Sequence, residues 1–329
     1  MATYKGIQGY SVQKLSDDPT ASEAEGQLWY NSGTGKFKIS IAGAAAWSSG
    51  NNMNTHRYRT AGGFGTLTAG TVVAGYSTPG PGNTANVEEY DGTTWTEVNN
   101  VPTATADPSS TGTQTAGLTA MAEPGPTTNT TAEYDGTSWA AGGARLFSCS
   151  GRAKLFGTQT ASVTIGGGNP PGSPAAYFTT VNEYDGTSWT AATAYPAGYG
   201  NGGSSGTLTA GLAFGGEPGA AVETYTYDGT NWTEANDLNT GRTECGFSIA
   251  GTQAASQVVA GEPAANVTET FDGTSWSTSP ATLSTARSSG ASIGTAASGV
   301  YAGGGSAPTQ QATEEWADPV YTIKTVTVS

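Results

Sequence analysis

An aromatic-Asp-Gly-Thr-x-Trp signature recurs along the chain and constrains the fold more than any other feature. It runs from Tyr90 to Trp95, Tyr134 to Trp139, Tyr184 to Trp189, Tyr227 to Trp232 and Phe271 to Trp276. Its aspartates, Asp91, Asp135, Asp185, Asp228 and Asp272, stand 44, 50, 43 and 44 residues apart. A degenerate sixth copy is Glu314-Glu315-Trp316, with Trp316 in the place of the Tyr. Asp-Gly between two β-rich runs marks a hairpin, because Gly accepts positive φ and Asp bonds its own backbone. A second marker, opening Gly-Thr, starts at Gly65, Gly112, Gly157, Gly206, Gly251 and Gly294, spaced 47, 45, 49, 45 and 43. The two markers alternate. Two distinct turns per repeat predict four strands per repeat, six times over. Gly and β-branched residues occur throughout and no run holds a 3.6-residue period, which excludes a helical reading.

A period of this length with four strands predicts propeller blades, so the expected fold is all-β, a six-bladed β-propeller. The details resemble kelch repeats. The chain has glycine pairs at Gly166-Gly167, Gly215-Gly216 and Gly303-Gly304, a Tyr and a Trp in each signature, and Arg57, Arg242 and Arg287 ahead of a first strand. It departs from the kelch pattern at Ala74-Gly75, Ala122-Glu123 and Gly261-Glu262. The resemblance covers roughly residues 36 to 320 and implies a fold, not an activity.

The Trp series predicts how the repeat begins and ends. Six Gly-Thr turns call for six fourth-strand Trp residues, and five follow them. Trp47 lies 48 residues ahead of Trp95, in phase. The segment Lys36 to Ser49 is therefore expected to supply the outer strand of the last blade, covering an open edge. Trp47, Trp95, Trp139, Trp189, Trp232, Trp276 and Trp316 are the expected blade-packing residues. Residues 1–26 fall outside the count and read as an N-terminal attachment arm, with residues 27–329 as the propeller and its closing strand. The arm carries Ile7, Tyr10, Val12 and Leu15, apolar groups able to order against a partner.

Charge narrows the partners. The net charge is -14, with 12 Lys and Arg against 26 Asp and Glu, which argues against nucleic acid. No apolar run approaches 18 residues, so no membrane insertion is expected. Cys149 and Cys245 fall at different points of their repeats and read as buried residues, not a disulfide. His56 is the single histidine. Copper chemistry, a nucleophile-His-acid set, a phosphate loop and a metal-spaced cluster find no residues here. No cofactor, no metal and no enzyme activity are expected. Glu89, Glu133, Glu183, Glu269 and Glu315 precede the third-strand aromatic and read as a solvated face, with a calcium ring as the sharper alternative.

In a four-stranded blade the Gly-Thr and Asp-Gly turns share one face, and the other carries the variable segments. Those are Tyr76 to Asn86, Pro124 to Thr131, Asn169 to Thr180, Glu217 to Ala221, Glu262 to Asn266 and Ser306 to Gln311, Pro- and Gly-rich and read as loops. Tyr177, Phe178, Tyr195 and Tyr199 belong to this face. They are either a platform for a sugar or protein ligand or a set that packs its own loops down. Glu25-Gly26-Gln27-Leu28-Trp29-Tyr30-Asn31-Ser32 followed by Gly33-Thr34-Gly35-Lys36 reads as a hairpin. This stretch is similar to segments in structural proteins of tailed phages, particularly marine and cyanobacterial ones. That resemblance implies a non-enzymatic virion protein, assembled in the host cytoplasm: a tail fibre, a tail-associated protein or a capsid-surface protein for host attachment. Its implied partners are other virion proteins through the arm, in a multi-copy assembly, and a cell-surface glycan or receptor. A host-side carbohydrate-binding or scaffold propeller and a polysaccharide hydrolase or lyase are the alternatives.

Overall fold

The computed structural model describes residues 12–20, 27–60, 62–77, 80, 82–122, 128–149, 151–168, 177–247, 251–263, 266–305, 309–318 and 321–327. The chain divides into two compact units, Met1–Ala46 with Asp318–Ser329, and Trp47–Ala317. Among the described residues seven four-stranded sheets are formed.

The larger unit holds the repeat. Sheet one is Gly63–Thr66, Ala69–Ser77, Gly82–Tyr90 and Trp95–Val98. Sheet two is Ser109–Thr113, Ala116–Ala120, Thr131–Tyr134 and Trp139–Ala141; sheet three is Lys154–Thr158, Ala161–Ile165, Val181–Tyr184 and Trp189–Ala191. Sheet four is Gly203–Thr207, Ala210–Phe214, Thr224–Tyr227 and Trp232–Glu234; sheet five is Gly246–Phe247, Ser256–Val259, Thr268–Phe271 and Trp276–Thr278. Sheet six takes Ala291–Gly294, Ser298–Ala302 and Thr313–Ala317 from the end of the repeat and Ala46–Gly50 from its beginning. Trp47 and Trp316 share this sheet, with ring centroids 5.3 Å apart.

The turn chemistry explains the strands. In each signature the Asp accepts the backbone N–H groups two and three residues on, as Asp135 Oδ1 does from Thr137 at 2.8 Å and Ser138 at 2.6 Å. The Gly that follows has φ near +90°, as at Gly136. Signature Tyr and Trp then face each other across the hairpin: Tyr134 and Trp139 stack at 4.7 Å, Tyr184 and Trp189 at 4.7 Å. Strand glycines mark close approach between sheets. A Cβ on Gly117 would sit 2.4 Å from the Phe64 ring, and one on Gly211 2.3 Å from the Phe156 ring.

The smaller unit holds the seventh sheet, in the order Gln13–Leu15, Leu28–Asn31, Lys36–Ala42, Tyr321–Thr325. The first pair is parallel and the other two are antiparallel. Trp29 is buried, and its Nε1 donates to Asp18 at 3.0 Å.

These sheets correct the expected architecture. The described residues are all-β and form seven open four-stranded sheets, each with two edge strands and none closed on itself; this is not the six-bladed kelch-like propeller inferred from the repeat. Counting turns counts hairpins within the repeat, but it is blind to a sheet built outside the repeat. The terminal sheet is such a case: its Trp29 is out of phase with the Trp series. Lys36–Ala42 accordingly pairs with Leu28–Asn31 and Tyr321–Thr325, and only Ala46–Gly50 of the expected closing segment joins sheet six. The expected loop Tyr76 to Asn86 also differs. Its two ends extend strands Ala69–Ser77 and Gly82–Tyr90, with a register shift between Val73 and Gly75.

Candidate functional site

Six residues other than glycine take positive φ immediately ahead of the first strands of the six repeat sheets. They are Arg59 (54°), Asp107 (50°), Arg152 (69°), Asn201 (54°), Glu244 (53°) and Ser289 (57°). They recur at intervals of 48, 45, 49, 43 and 45 residues, in phase with the repeat. Each such conformation costs on the order of 1–3 kcal/mol, so the surrounding structure must hold it. Backbone bonds between repeats do so. Asp107 N donates to Arg59 O at 2.9 Å, Asn201 N to Arg152 O at 2.9 Å, Glu244 N to Asn201 O at 2.8 Å, Ser289 N to Glu244 O at 2.9 Å and Thr60 N to Ser289 O at 3.2 Å.

The six side chains line one cavity of about 370 Å³, joined by Tyr58, Lys154 and Cys245. Several of its charged groups are held by neighbouring side chains. Arg59 Nε donates to Asp107 Oδ2 at 2.9 Å. Arg152 Nη1 donates to Glu217 Oε2 at 3.2 Å and to the Tyr177 hydroxyl at 3.0 Å, and that hydroxyl in turn donates to Glu217. Ser289 Oγ donates to Glu244 Oε2 at 2.6 Å. Lys154 is 2% exposed. Burial pulls its ammonium down from the usual lysine range, opposed by Cys245, Asp107, Glu244 and Glu217. Burial pushes the Glu217 carboxyl up, opposed chiefly by Arg152. At the other end of the first strands, the Gly-Thr turns line a second concavity with no charged side chain.

The expected ligand residues divide. Tyr177 is half-buried and reaches the cavity's edge through Arg152 and Glu217. Phe178 is half-buried, edge-on to Phe147 at 6.4 Å. Tyr195 and Tyr199 are buried with rings 4.8 Å apart, and the Tyr199 hydroxyl donates to Gly203 O at 2.6 Å. These two therefore pack the core and offer no exposed platform. Residues 169–176 of the same segment lie outside the described residues.

Trp95, Trp189, Trp276 and Trp316 are buried, while Trp47, Trp139 and Trp232 are half-buried. Most indole N–H groups reach the preceding repeat: Trp95 to Thr313 Oγ1 at 3.1 Å, Trp276 to Thr224 Oγ1 at 3.1 Å and Trp47 to Thr268 Oγ1 at 2.9 Å. Of the arm residues, Val12 is exposed and Leu15 half-buried; Ile7 and Tyr10 lie outside the described residues. Cys149 and Cys245 are buried free thiols, and His56 is exposed.

The recurring glutamates are not a solvated face. Tyr134 donates to Glu89 at 2.9 Å and Tyr227 to Glu183 at 2.6 Å, with Tyr184 to Glu133 and Tyr90 to Glu315 alike. Each bond joins one repeat to its predecessor. Where the tyrosine becomes Phe271 or Trp316, the facing position is Thr226 or Thr270, so donor and acceptor are absent together. Glu269 sits one residue out of this phase and is buried against Arg242. Among the described residues no group of three or more His, Cys, Asp or Glu could hold a metal ion.

Sequence reasoning missed the six cavity residues. The available signal was their phase, two residues after Arg57, Arg242 and Arg287, masked by five different residue types at the six positions.

No family model matches the chain, and no curated protein matches it. The kelch and tailed-phage resemblances are therefore unsupported by any relative and are corrected accordingly. Local chemistry accounts for the hairpin that carried the second. Asn31 Oδ1 accepts from Thr34 N at 2.9 Å, Asn31 Nδ2 donates to Asp18 at 2.6 Å, and Gly35 has φ +68°. A stretch this short reports its turn, not its ancestry; what the chain is similar to, on these observations, is an all-β repeat of sheets.

Proposed function

We propose that the chain is a non-enzymatic structural protein that displays a binding surface, and that the cavity is that surface. One observation carries this reading: the backbone repeats six times in a costly conformation while the side chains it presents are of five different kinds. A purely structural repeat needs no Arg, Asp, Asn, Glu and Ser at one position, whereas a recognition surface does. The paired charges favour binding over turnover, because Asp107, Glu217 and Glu244 are each engaged by a neighbour. Thermal melting of the full chain against panels of glycans, peptides and small metabolites tests the reading. A ligand that raises Tm and is recovered unchanged supports it; chemical conversion of that ligand would make the chain an enzyme instead, a polysaccharide hydrolase or lyase among the candidates.

We further propose that the chain belongs to a multi-copy assembly, attached through its terminal unit. Exposed Leu28, Phe37, Ile41 and Val326 on the terminal sheet support attachment through that unit. Phe37→Ser with Ile41→Ser, both side chains exposed on that sheet, is expected to leave a folded protein that no longer enters the assembly. Normal incorporation of the variant would remove this assignment.

A further inference from the structure

We propose that the cavity takes a neutral polyhydroxylated ligand, a saccharide, held by hydrogen bonds from the positive-φ residues and by the ring of Tyr58. This deepens the reading of the cavity as a binding surface and rests on it. The lining carries three cations, Arg59, Arg152 and Lys154, and two carboxylates, Asp107 and Glu244; Glu217, outside the lining and paired with Arg152, brings the formal charge of the group to zero. A ligand of net charge entering such a space leaves one charge desolvated without a partner. The overall charge of -14 further disfavours polyanions at the rim.

Within that neutral frame, donors and acceptors alternate around the wall: Arg59, Asp107, Arg152, Asn201, Glu244, Ser289. Carboxylates accept only, guanidinium groups donate only, and Asn and Ser do both, which suits adjacent hydroxyls that must each donate and accept. Mutual ion pairs and inter-repeat backbone bonds hold these groups in place, so little ordering accompanies binding. The Tyr58 ring, braced edge-on by Tyr76 at 5.5 Å, offers an apolar face to the C–H side of a sugar. A volume of about 370 Å³ lies in the range of small-ligand sites.

The test is saturation-transfer NMR on the full chain. Glucose, galactose, mannose, N-acetylglucosamine and lactose serve as neutral probes; glucuronate, inorganic phosphate and glutamate serve as charged ones. At least one neutral sugar is expected to receive saturation at millimolar concentration, with no competition from glucuronate or phosphate. Asn201→Gly and Ser289→Gly remove a cavity group at positions whose φ Gly adopts freely, so both variants are expected to fold with Tm unchanged or raised. Each is expected to weaken the sugar about three- to tenfold, as loss of one or two hydrogen bonds does. Leu146→Ser, on a side chain 60% exposed and away from the cavity lining, is expected to bind as the parent does. Absence of binding by every neutral sugar overturns the proposal, and so does binding that both glycine variants leave intact. If a charged probe binds and the glycine variants weaken it, the cavity remains a binding surface and the saccharide assignment alone falls.

Discussion

Sheets one, five and six solve a packing problem with a buried Arg–Glu ion pair that sheets two, three and four do without. In the first group an arginine from the link ahead of the sheet enters its interior. Arg57 meets Glu88, Arg242 meets Glu269, and Arg287 meets Glu314 at 2.7 Å, all six side chains 5% exposed or less. Each guanidinium also donates to two carbonyls: Arg57 to Ala74 O and Asn86 O, Arg242 to Ala260 O and Val267 O, Arg287 to Gly303 O and Ala312 O. Each glutamate accepts link N–H groups, Asn54 N on Glu88 at 2.7 Å, Asn239 N on Glu269 at 2.8 Å and Ser284 N on Glu314 at 2.8 Å.

In the second group both partners are missing together: Thr105 with Ala132, Ser150 with Asn182, Tyr199 with Tyr225. Other groups reach the same kind of backbone atom. Arg145, from the link after sheet two, donates to Met121 O and Thr128 O at 2.9 Å each. In sheet four Tyr199 donates to Gly203 O and Phe214 O. The backbone frame therefore does not require the ion pair. What it requires is that the carbonyls beside the cavity-forming link be satisfied.

The largest effect expected from this comparison is in the ion-pair sheets. Glu269→Ala leaves Arg242 buried without its counter-charge and is expected to cost about 3–5 kcal/mol in urea unfolding. Arg242→Met with Glu269→Leu removes both charges and is expected to be near neutral or stabilising. A single variant as mild as the double would dissolve the distinction between the two groups. Next come the indoles. Trp276→Ala, in sheet five and 5% exposed, is expected to cost about 3–5 kcal/mol. Trp232→Ala, half-buried in sheet four, is expected to cost less, and equal losses would mean that burial does not set the scale.

Smaller effects sharpen the comparison. Tyr184→Phe gives sheet three the phenyl ring that Phe271 gives sheet five, but leaves the facing Glu133 in place without its donor. Loss of its bond to Glu133 is expected to lower stability by about 0.5–1.5 kcal/mol. Ala74 and Ala260 have φ of 56° and 60° where Gly166 and Gly215 have 63° and 62°. Ala74→Gly is thus expected to stabilise sheet one by no more than about 1 kcal/mol, strain relief being offset by lost backbone entropy in the unfolded chain. A loss of stability would show that the Ala74 methyl contributes more by packing than it costs in strain.

The signature aspartates give a pH dependence common to both groups. Backbone N–H groups hold the carboxyls of Asp91, Asp135, Asp185, Asp228 and Asp272 below the usual range. A depressed folded value means that the folded chain binds these protons only at lower pH than the unfolded chain. The stability they supply is therefore complete above the ordinary aspartate value of about 4 and is lost as pH falls through the depressed ones. Melting temperature against pH measures this. Asp135→Asn and Asp272→Asn are expected to flatten the acid limb equally; unequal flattening would tie the turns to the ionic character of their sheets.

Much of this was legible in the chain because it is local. A hairpin turn, its Asp, its Gly and the Tyr and Trp beside it lie within six residues, so sequence alone determines them. Four strands per repeat followed from the alternation of two such turns. The seventh sheet did not, because it pairs Lys36–Ala42 with Tyr321–Thr325, a contact that no local turn encodes. Tertiary structure also decided which glutamates meet arginine and which meet tyrosine. Glu88 and Glu89 are adjacent in sequence, yet alternate faces of one strand send the first to Arg57 in its own repeat and the second to Tyr134 in the next. The cavity was the least legible feature of all. Its six residues share a backbone conformation but no one side-chain chemistry, and only the packing of six repeats brings Arg59 and Ser289 to the same wall, 230 residues apart along the chain.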